Sequence, residues 1–467
     1  MAETFIQGEI KTRPGSYFNI QKGGDDSETV ITKGITAVLF RSNRGPLNKA
    51  VEIGSDEDYT DTFGTALTTD AIQEAISGGA STIIACRVGN GGTAACINVN
   101  DTEGAQAVSI TTKYPGNVEL SVTIREKLSD SGKKECIFYE GTRELETVEF
   151  ASGEGEAQAL VTALKSSMNF EAEIKEGKEK ALLAAVSQSA FEKGTDPLAT
   201  VEDYANAFSE VESCIFNTIC IDTEEPQVIA LLQSFIDRIF DDGYLAQAVV
   251  AEKKTVDLEK RIKNAASFND EKMIYVLNAN VDEKGTEIDG YQTAARIAGM
   301  VGAASATTSL THTTISGFTE LKEKMKKSEI EKAEENGCLV LSYNKNKQVW
   351  IDNAINTLVT LPENMDKGWK KIRRVNTRFE LIDRLNQKND DMVGKIDVTD
   401  TATVILKLQE VGDAMIQEGK ITYFAVTESE NKKANGDSAW FDYDVIDKDS
   451  MEHIYGTFKF RYNTTNE

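Results

Sequence analysis

The sequence has little proline, histidine and aromatic content: six prolines and two histidines in 467 residues, with Phe, Trp and Tyr at 7%. So few prolines exclude long proline-rich linkers. The histidines, His312 and His453, have no partner at metal-ligand spacing, so no imidazole metal site is expected. No GxSxG nucleophile elbow occurs. The six cysteines, Cys86, Cys96, Cys136, Cys214, Cys220 and Cys338, form no CxxC pair and no ligand-like cluster. They read as reduced, mostly buried thiols of a cytoplasmic product. No apolar run approaches the roughly 18 residues of a membrane span. The opening MAETFIQGEI lacks the basic and apolar regions of a secretion signal. Positive charge is also scarce, with 51 Lys and Arg against 76 Asp and Glu, a formal net charge of −25. That balance argues against a general nucleic-acid binder and favours solubility and mutual repulsion of free copies.

What is present is 40% apolar and 27% charged residues over a length that implies two to four domains. Residues 1–30 carry a turn signal at Thr12-Arg13-Pro14-Gly15-Ser16 and short extended pieces, but too little to bury themselves, which suggests an arm. From Ile35 the pattern becomes strand–helix–strand: Ile35–Phe40, Thr69–Ser77, then Ser81–Val88. Residues 94–198 interrupt it with alternating strands rich in Thr, Ser, Glu and Gly. The α/β pattern resumes at 199 and continues to 355, through strands such as Ser213–Ile221, Leu245–Ala251, Met273–Asn278, Cys338–Tyr343 and Val349–Ile355, and through a small-residue helix at Ile288–Ala306.

The expected fold is therefore an α/β core over 31–93 and 199–355, with a largely parallel sheet covered by helices on both faces. A mostly β domain is inserted at 94–198, and an α+β domain follows over 356–467. That last domain should hold two helices, the second (Thr401–Gln417) capped by Asp400, and then strands Ile421–Glu428, Ala439–Val445 and Glu452–Tyr462. The final strand, from about 450, forms a second extended arm.

One stretch stands out against the acidic balance. Asp366–Asn389 reads DKGWKKIRRVNTRFELIDRLNQKN. Wound as a helix at about 100° per residue, it places Ile372, Val375, Phe379 and Ile382 on one stripe. Lys370, Lys371, Arg374 and Arg378 fall opposite. Either this is a solvated face on a packed helix or it seats an acidic partner. Leu381 and Leu385 lie within the basic arc, so the second half should be buried on both sides.

Candidate chemistry is thin. Gly89-Asn90-Gly91-Gly92 follows a strand, but no GK[ST] comes after it, and a domain junction explains it better than a phosphate loop. Asp241-Asp242 and Asp390-Asp391 sit where turns are expected. Trp350, Trp369 and Trp440 lack the basic interleaving of a base-stacking surface. No catalytic, cofactor-binding or metal-binding residue is assigned.

The order of parts resembles the tail sheath proteins of contractile phage tails and phage-tail-like bacteriocins. Arg13-Pro14-Gly15-Ser16-Tyr17 is similar to that family's opening arm, and Lys113-Tyr114-Pro115-Gly116-Asn117 to the start of its inserted domain. Phe191-Glu192-Lys193-Gly194-Thr195-Asp196 resembles the loop returning to the core, with Lys193-Gly194 in place of the usual glycine pair. Lys371-Ile372-Arg373-Arg374-Val375-Asn376-Thr377 and Val393-Gly394-Lys395-Ile396 resemble the signature of the C-terminal domain.

The resemblance implies a structural, non-enzymatic subunit with no cofactor. Its partners would be further copies of itself in hexameric rings and a helical polymer, an inner tail tube, and baseplate and tail-terminator proteins. Nucleic-acid binding and direct membrane insertion are not expected. The terminal arms would add strands to neighbouring subunits, through Arg13, Pro14, Gly15, Tyr17 and Phe18 at one end and Tyr455, Phe458, Phe460 and Tyr462 at the other. Lys370, Lys371, Arg374 and Arg378 become candidates for the tube contact, with Asp390–Gln417 as a rival seat. The inserted domain would face outward. Assembly would take place in the bacterial host cytoplasm, into a virion tail or a bacteriocin particle. The competing readings are an α/β enzyme binding a phosphorylated cofactor and a cell-surface array protein.

Overall fold

The computed structural model describes residues 3–4, 17–18, 33–278, 280–362 and 365–461. Its centre is a seven-stranded sheet in the spatial order Cys338–Leu339, Met273–Val276, Gln247–Ala251, Thr218–Ile221, Ile35–Phe40, Thr82–Arg87, Ala50–Gly54. All neighbours are parallel except Ala50–Gly54, which runs antiparallel at one edge. The sequences ITAVLF, TICI, QAVVA and MIYV have no polar alternation, and every residue in them is buried. That is what a sheet covered on both faces demands. Helices Val201–Val211, Pro226–Asp241 and Leu258–Phe268 cover one face. Helices Asp70–Gly78 and Gly290–Ala303 cover the other.

Local chemistry sets these helices. Thr200 and Asp203 form a reciprocal capping box, and Pro226 opens its helix at the position where a missing N–H costs nothing. The small-residue helix packs against Asp70–Gly78 almost backbone to backbone. A Cβ on Gly299 would lie 2.0 Å from the Ala75 carbonyl oxygen. Some expected elements shifted: Val349–Ile351 leaves the main sheet and pairs with Leu341–Tyr343. A further small sheet, Glu287–Ile288, Asn280–Asp282 and Phe318–Leu321, was not visible in the sequence pattern.

Residues 94–198 build two antiparallel sheets of four and three strands with the helix Glu156–Leu164 between them. They enclose a core of their own, in which the Phe138 and Phe170 rings stack at 3.8 Å. The joint to the central sheet is built around two buried cations, Arg87 and Arg44, the latter paired with Glu140 at 3.3 Å. Arg87 donates to the carbonyls of Ser42 (3.0 Å), Gly45 (2.7 Å) and Pro115 (2.7 Å). Burial pushes its guanidinium pKa down to about 10, opposed by Asp196, so it stays charged at neutral pH. Around it the chains touch closely: a Cβ on Gly116 would stand 1.6 Å from the Asn43 carbonyl oxygen, and one on Gly194 2.2 Å from that of Thr93. Gly89-Asn90-Gly91-Gly92 lies in this joint, with Asn90 bridged to Leu198.

The C-terminal region holds the helices Ile372–Met392 and Thr401–Gln417 and a hairpin of Ile421–Glu428 with Phe441–Asp447. Asp400 caps the second helix by accepting from the Thr403 N–H at 3.2 Å. Leu381, Leu385, Leu408, Val411, Met415 and Phe424 form a separate core, so the expected burial of Leu381 and Leu385 holds.

The expected strand Glu452–Tyr462 needs correction. Among the described residues, 448–461 contain no strand, and Tyr462 lies outside them. An alternating sequence becomes a strand only when a neighbour supplies N–H and C=O groups, and no described part of this chain does so. At the other end, Glu3–Thr4 pairs in parallel with Tyr17–Phe18. Arg13, Pro14 and Gly15 lie outside the described residues.

Candidate functional site in the C-terminal region

The place where an α/β enzyme would hold a phosphorylated cofactor is the cleft beyond the carboxyl ends of the parallel strands. Here that cleft measures about 780 Å³ and is lined by Arg41, Tyr204, Asp222, Glu224, Lys253 and Tyr291 among others. Its polar groups satisfy each other. Buried Asp222 accepts from the Arg41 Nε at 2.8 Å and from the hydroxyls of Tyr204 and Thr68. Glu224 accepts from the Gly290 and Tyr291 N–H groups, the helix N-terminus that a phosphate would need. Burial and nearby Asp289 raise the Glu224 pKa. The turn after Ile35–Phe40 is Arg41-Ser42-Asn43-Arg44, with no glycine loop. Nothing in this geometry cradles a phosphate. No cluster of three or more His, Cys, Asp or Glu suited to a metal occurs among the described residues. No helix among them is long and apolar enough to cross a membrane.

The charged chemistry lies on the long helix Ile372–Met392 and the short turn before it. Ile372, Val375 and Phe379 are buried as the stripe predicts, while Ile382 is half-buried. The opposite arc departs from expectation. Lys370 donates to the carbonyls of Glu334 (2.9 Å) and Glu335 (3.4 Å). Lys371 pairs with Asp449 at 3.0 Å and Glu452 at 2.9 Å. Arg374 and Arg378 both bind Asp447, through Nε at 2.9 and 2.8 Å, and both also reach Asp366. The Arg378 guanidinium stacks 4.4 Å from the Trp369 ring centre.

The expectation of a free basic face is thereby corrected: its acidic counterpart is the end of this chain's own hairpin. Burial alone would raise the Asp447 pKa, but Arg374 and Arg378 reverse that and hold it below the usual carboxylate range. The pattern of acids in FDYDVIDKDSME was a readable signal, though periodicity cannot show that it folds onto a helix more than 60 residues earlier.

A second charged cluster follows one turn along the helix, and nothing in the sequence pattern suggested it. Glu380, almost fully buried, pairs with Lys33, with Arg384 at 2.7 Å and with Lys420 at 2.6 Å. Glu418 closes the ring by pairing with Arg384 and Lys420. Burial would raise both carboxyls. Lys33 and Lys420 hold Glu380 low instead, and Arg384 and Lys420 bring Glu418 down to about 2.

Beyond Ser450 the chain changes character. Tyr455, Phe458 and Phe460 are 91%, 83% and 94% exposed, and Ile454 is exposed beside them. No described residue pairs with this stretch as a strand. Large exposed apolar side chains on unpaired main chain mark an interaction segment.

Residues 198–357 match the family model for the phage tail sheath protein central domain. A sheath tail protein from Desulfitobacterium hafniense superposes with a TM-score of 0.67 at 18% identity, covering 93% of this chain and 100% of that one. One from Listeria innocua gives 0.67 at 19%, covering 90% and 96%. A chain of the extracellular contractile injection system PVC sheath complex, in the contracted state, gives 0.52 at 10%, covering 97% and 98%. No curated protein matches the sequence. At these identities the structural likenesses speak for the fold.

Proposed function

From a chain that carries the phage tail sheath central domain within a sheath-protein fold, we propose a structural subunit of a contractile tail sheath. The subunits polymerise as stacked hexameric rings around an inner tube. Neighbours are linked by strand exchange through the terminal arms, and contraction drives the tube through the target envelope. The observation that carries this reading is the exposed stretch 451–461, whose apolar Phe458 and Phe460 alternate with Lys459 and Arg461 on main chain that no described residue pairs. An added strand supplies main-chain hydrogen bonds and pockets for alternate side chains, and this stretch is suited to give both.

No nucleotide or cofactor enters the proposed cycle. The free energy of contraction comes from repacked contacts between subunits. The inner tube, the baseplate and a tail terminator are the further partners. Lys370, Lys371, Arg374 and Arg378 serve the tube indirectly, by holding the hairpin end in place. The direct seat then falls to the loop and helix of Asp390–Gln417, where Val393, Leu406 and Ile416 are exposed.

Electron microscopy of the purified chain tests the reading. Polymeric sheaths or striated hollow tubes are expected; a stable monodisperse monomer at high concentration with intact termini overturns it. Deleting residues 1–20 should leave folded subunits that no longer polymerise. Normal sheaths from that deletion would remove the arm mechanism.

A further inference from the structure

The two charged clusters on the long helix hold opposite ends of the chain. Lys33, where the N-terminal segment meets the central sheet, is held by Glu380; the next residue, Gly34, donates its N–H to the Gly302 carbonyl at 3.0 Å. Asp447, Asp449 and Glu452, where the C-terminal segment leaves the hairpin, are held by Arg374, Arg378 and Lys371. Arg373 adds a bond to Ser450 at 2.6 Å. The holding residues Arg378 and Glu380 are two positions apart, about 3 Å along the helix axis and about 200° around it, so the two clusters sit on opposite faces of one rigid element. The two attachments also have opposite polarity: a cation on the N-terminal segment meets an anion on the helix, and anions on the C-terminal segment meet cations.

One residue joins them. The Lys420 ammonium sits between Glu380 and Glu418, while its own carbonyl accepts the Lys448 N–H at 3.2 Å. The route Lys33–Glu380–Lys420–Lys448 runs from one chain end to the other without passing through the central sheet.

We propose that Ile372–Met392 together with Lys420 is a common anchor that couples the two terminal segments, so that loosening one loosens the other. In a sheath, a pull on one arm would then weaken the hold on the other within the same subunit. That meaning rests on the arm reading given above. The coupling itself is a property of the free subunit and is measured without any polymer.

The test is amide hydrogen exchange on the full chain. Lys33→Gln removes the ion pair of the N-terminal attachment and leaves its backbone bonds to Ser81 and Gly302, at a partly exposed side chain that does not touch Lys448. Faster exchange is expected locally at Gly34 and, by roughly threefold or more, remotely at Lys448. Lys33→Arg should restore both. Coupling is reciprocal, so Asp447→Asn should speed exchange at Gly34. Exchange at Lys448 unchanged in Lys33→Gln would overturn the proposal. So would equal acceleration in the inserted-domain strand Leu120–Lys127, which would mean general destabilisation. Loss of coupling with intact sheaths would leave the sheath reading standing, and coupled chains that never polymerise would do the reverse.

Discussion

Two attachments in the molecule rest on different chemistry: that of the inserted domain on the central sheet, and that of the hairpin end on the long helix. At the inserted domain, buried Arg87 is satisfied by three backbone carbonyls and glycines let the main chains touch, while Arg44–Glu140 and Arg143–Asp61 add ion pairs across the joint. At the hairpin end, Lys371, Arg374 and Arg378 meet Asp447, Asp449 and Glu452, several of them partly exposed. Carbonyls do not titrate, and contacts set by sterics are indifferent to salt. Carboxylate pairs respond to pH, and the exposed ones to ionic strength. The Arg87 and glycine contacts are therefore insensitive to pH and salt, while the hairpin attachment can be released by either. The inserted domain would travel with the sheet as one body, and the hairpin and its trailing segment would be the parts that let go.

The largest effect that could break this contrast is at Gly116. Gly116→Ala forces a Cβ into the Asn43 carbonyl and should cost about 3 kcal/mol or more, read by chemical denaturation. A stable variant would mean that the joint yields. Next is Asp447→Asn, which leaves two guanidiniums short of a buried anion and should cost about 2–3 kcal/mol at neutral pH. Because the Asp447 pKa is depressed on folding, its contribution is complete above its ordinary value, near 4. It is lost as pH falls through the depressed value. Once the intrinsic acid slowing of exchange is divided out, opening at 447–452 should accordingly increase below about pH 4 while the main-chain contacts at Arg87 and Gly116 stay closed. In Asp447→Asn that acid step should shrink, and simultaneous opening of both joints would erase the distinction. The smallest effect is Lys371→Gln, at about 0.5–1 kcal/mol, because its partly exposed pairs are screened by water. It should vanish in about 1 M salt, as measured by exchange at 449–452.

The strands of the central sheet were legible because burial on both faces leaves only one kind of sequence, an unbroken apolar run such as Ile35–Phe40 or Met273–Val276. Their ends were less so: Ser213–Asn217 precedes the strand proper, which starts at Thr218. The glycine-bearing stretches at Lys113–Asn117 and Phe191–Asp196 stood out in the sequence by resemblance. Their physical reason, main-chain contact at Gly116 and Gly194, needed three dimensions. The charged site was half legible. Periodicity placed Arg374 and Arg378 on one arc of the right helix, yet it carries no information on long-range partners, so the arc looked free when Asp447 neutralises it. Lys33 and Glu380 are 347 residues apart, and each alone looks like an ordinary surface charge. The alternation after Glu452 is a true feature of the sequence, but a strand also needs a pairing neighbour, and no described residue of this chain supplies one.

The exposed stretch after Glu452 also has an electrostatic sign. The chain as a whole carries a formal charge of −25, yet residues 453–461, HIYGTFKFR, hold Lys459 and Arg461 and no acid. Two free copies therefore repel over most of their surfaces, and this stretch is among the segments that a neighbour would attract. Long-range force would then favour encounters that lead with the tail over face-to-face collisions, and at moderate ionic strength the same charge distribution that keeps copies apart would select the orientation in which they meet.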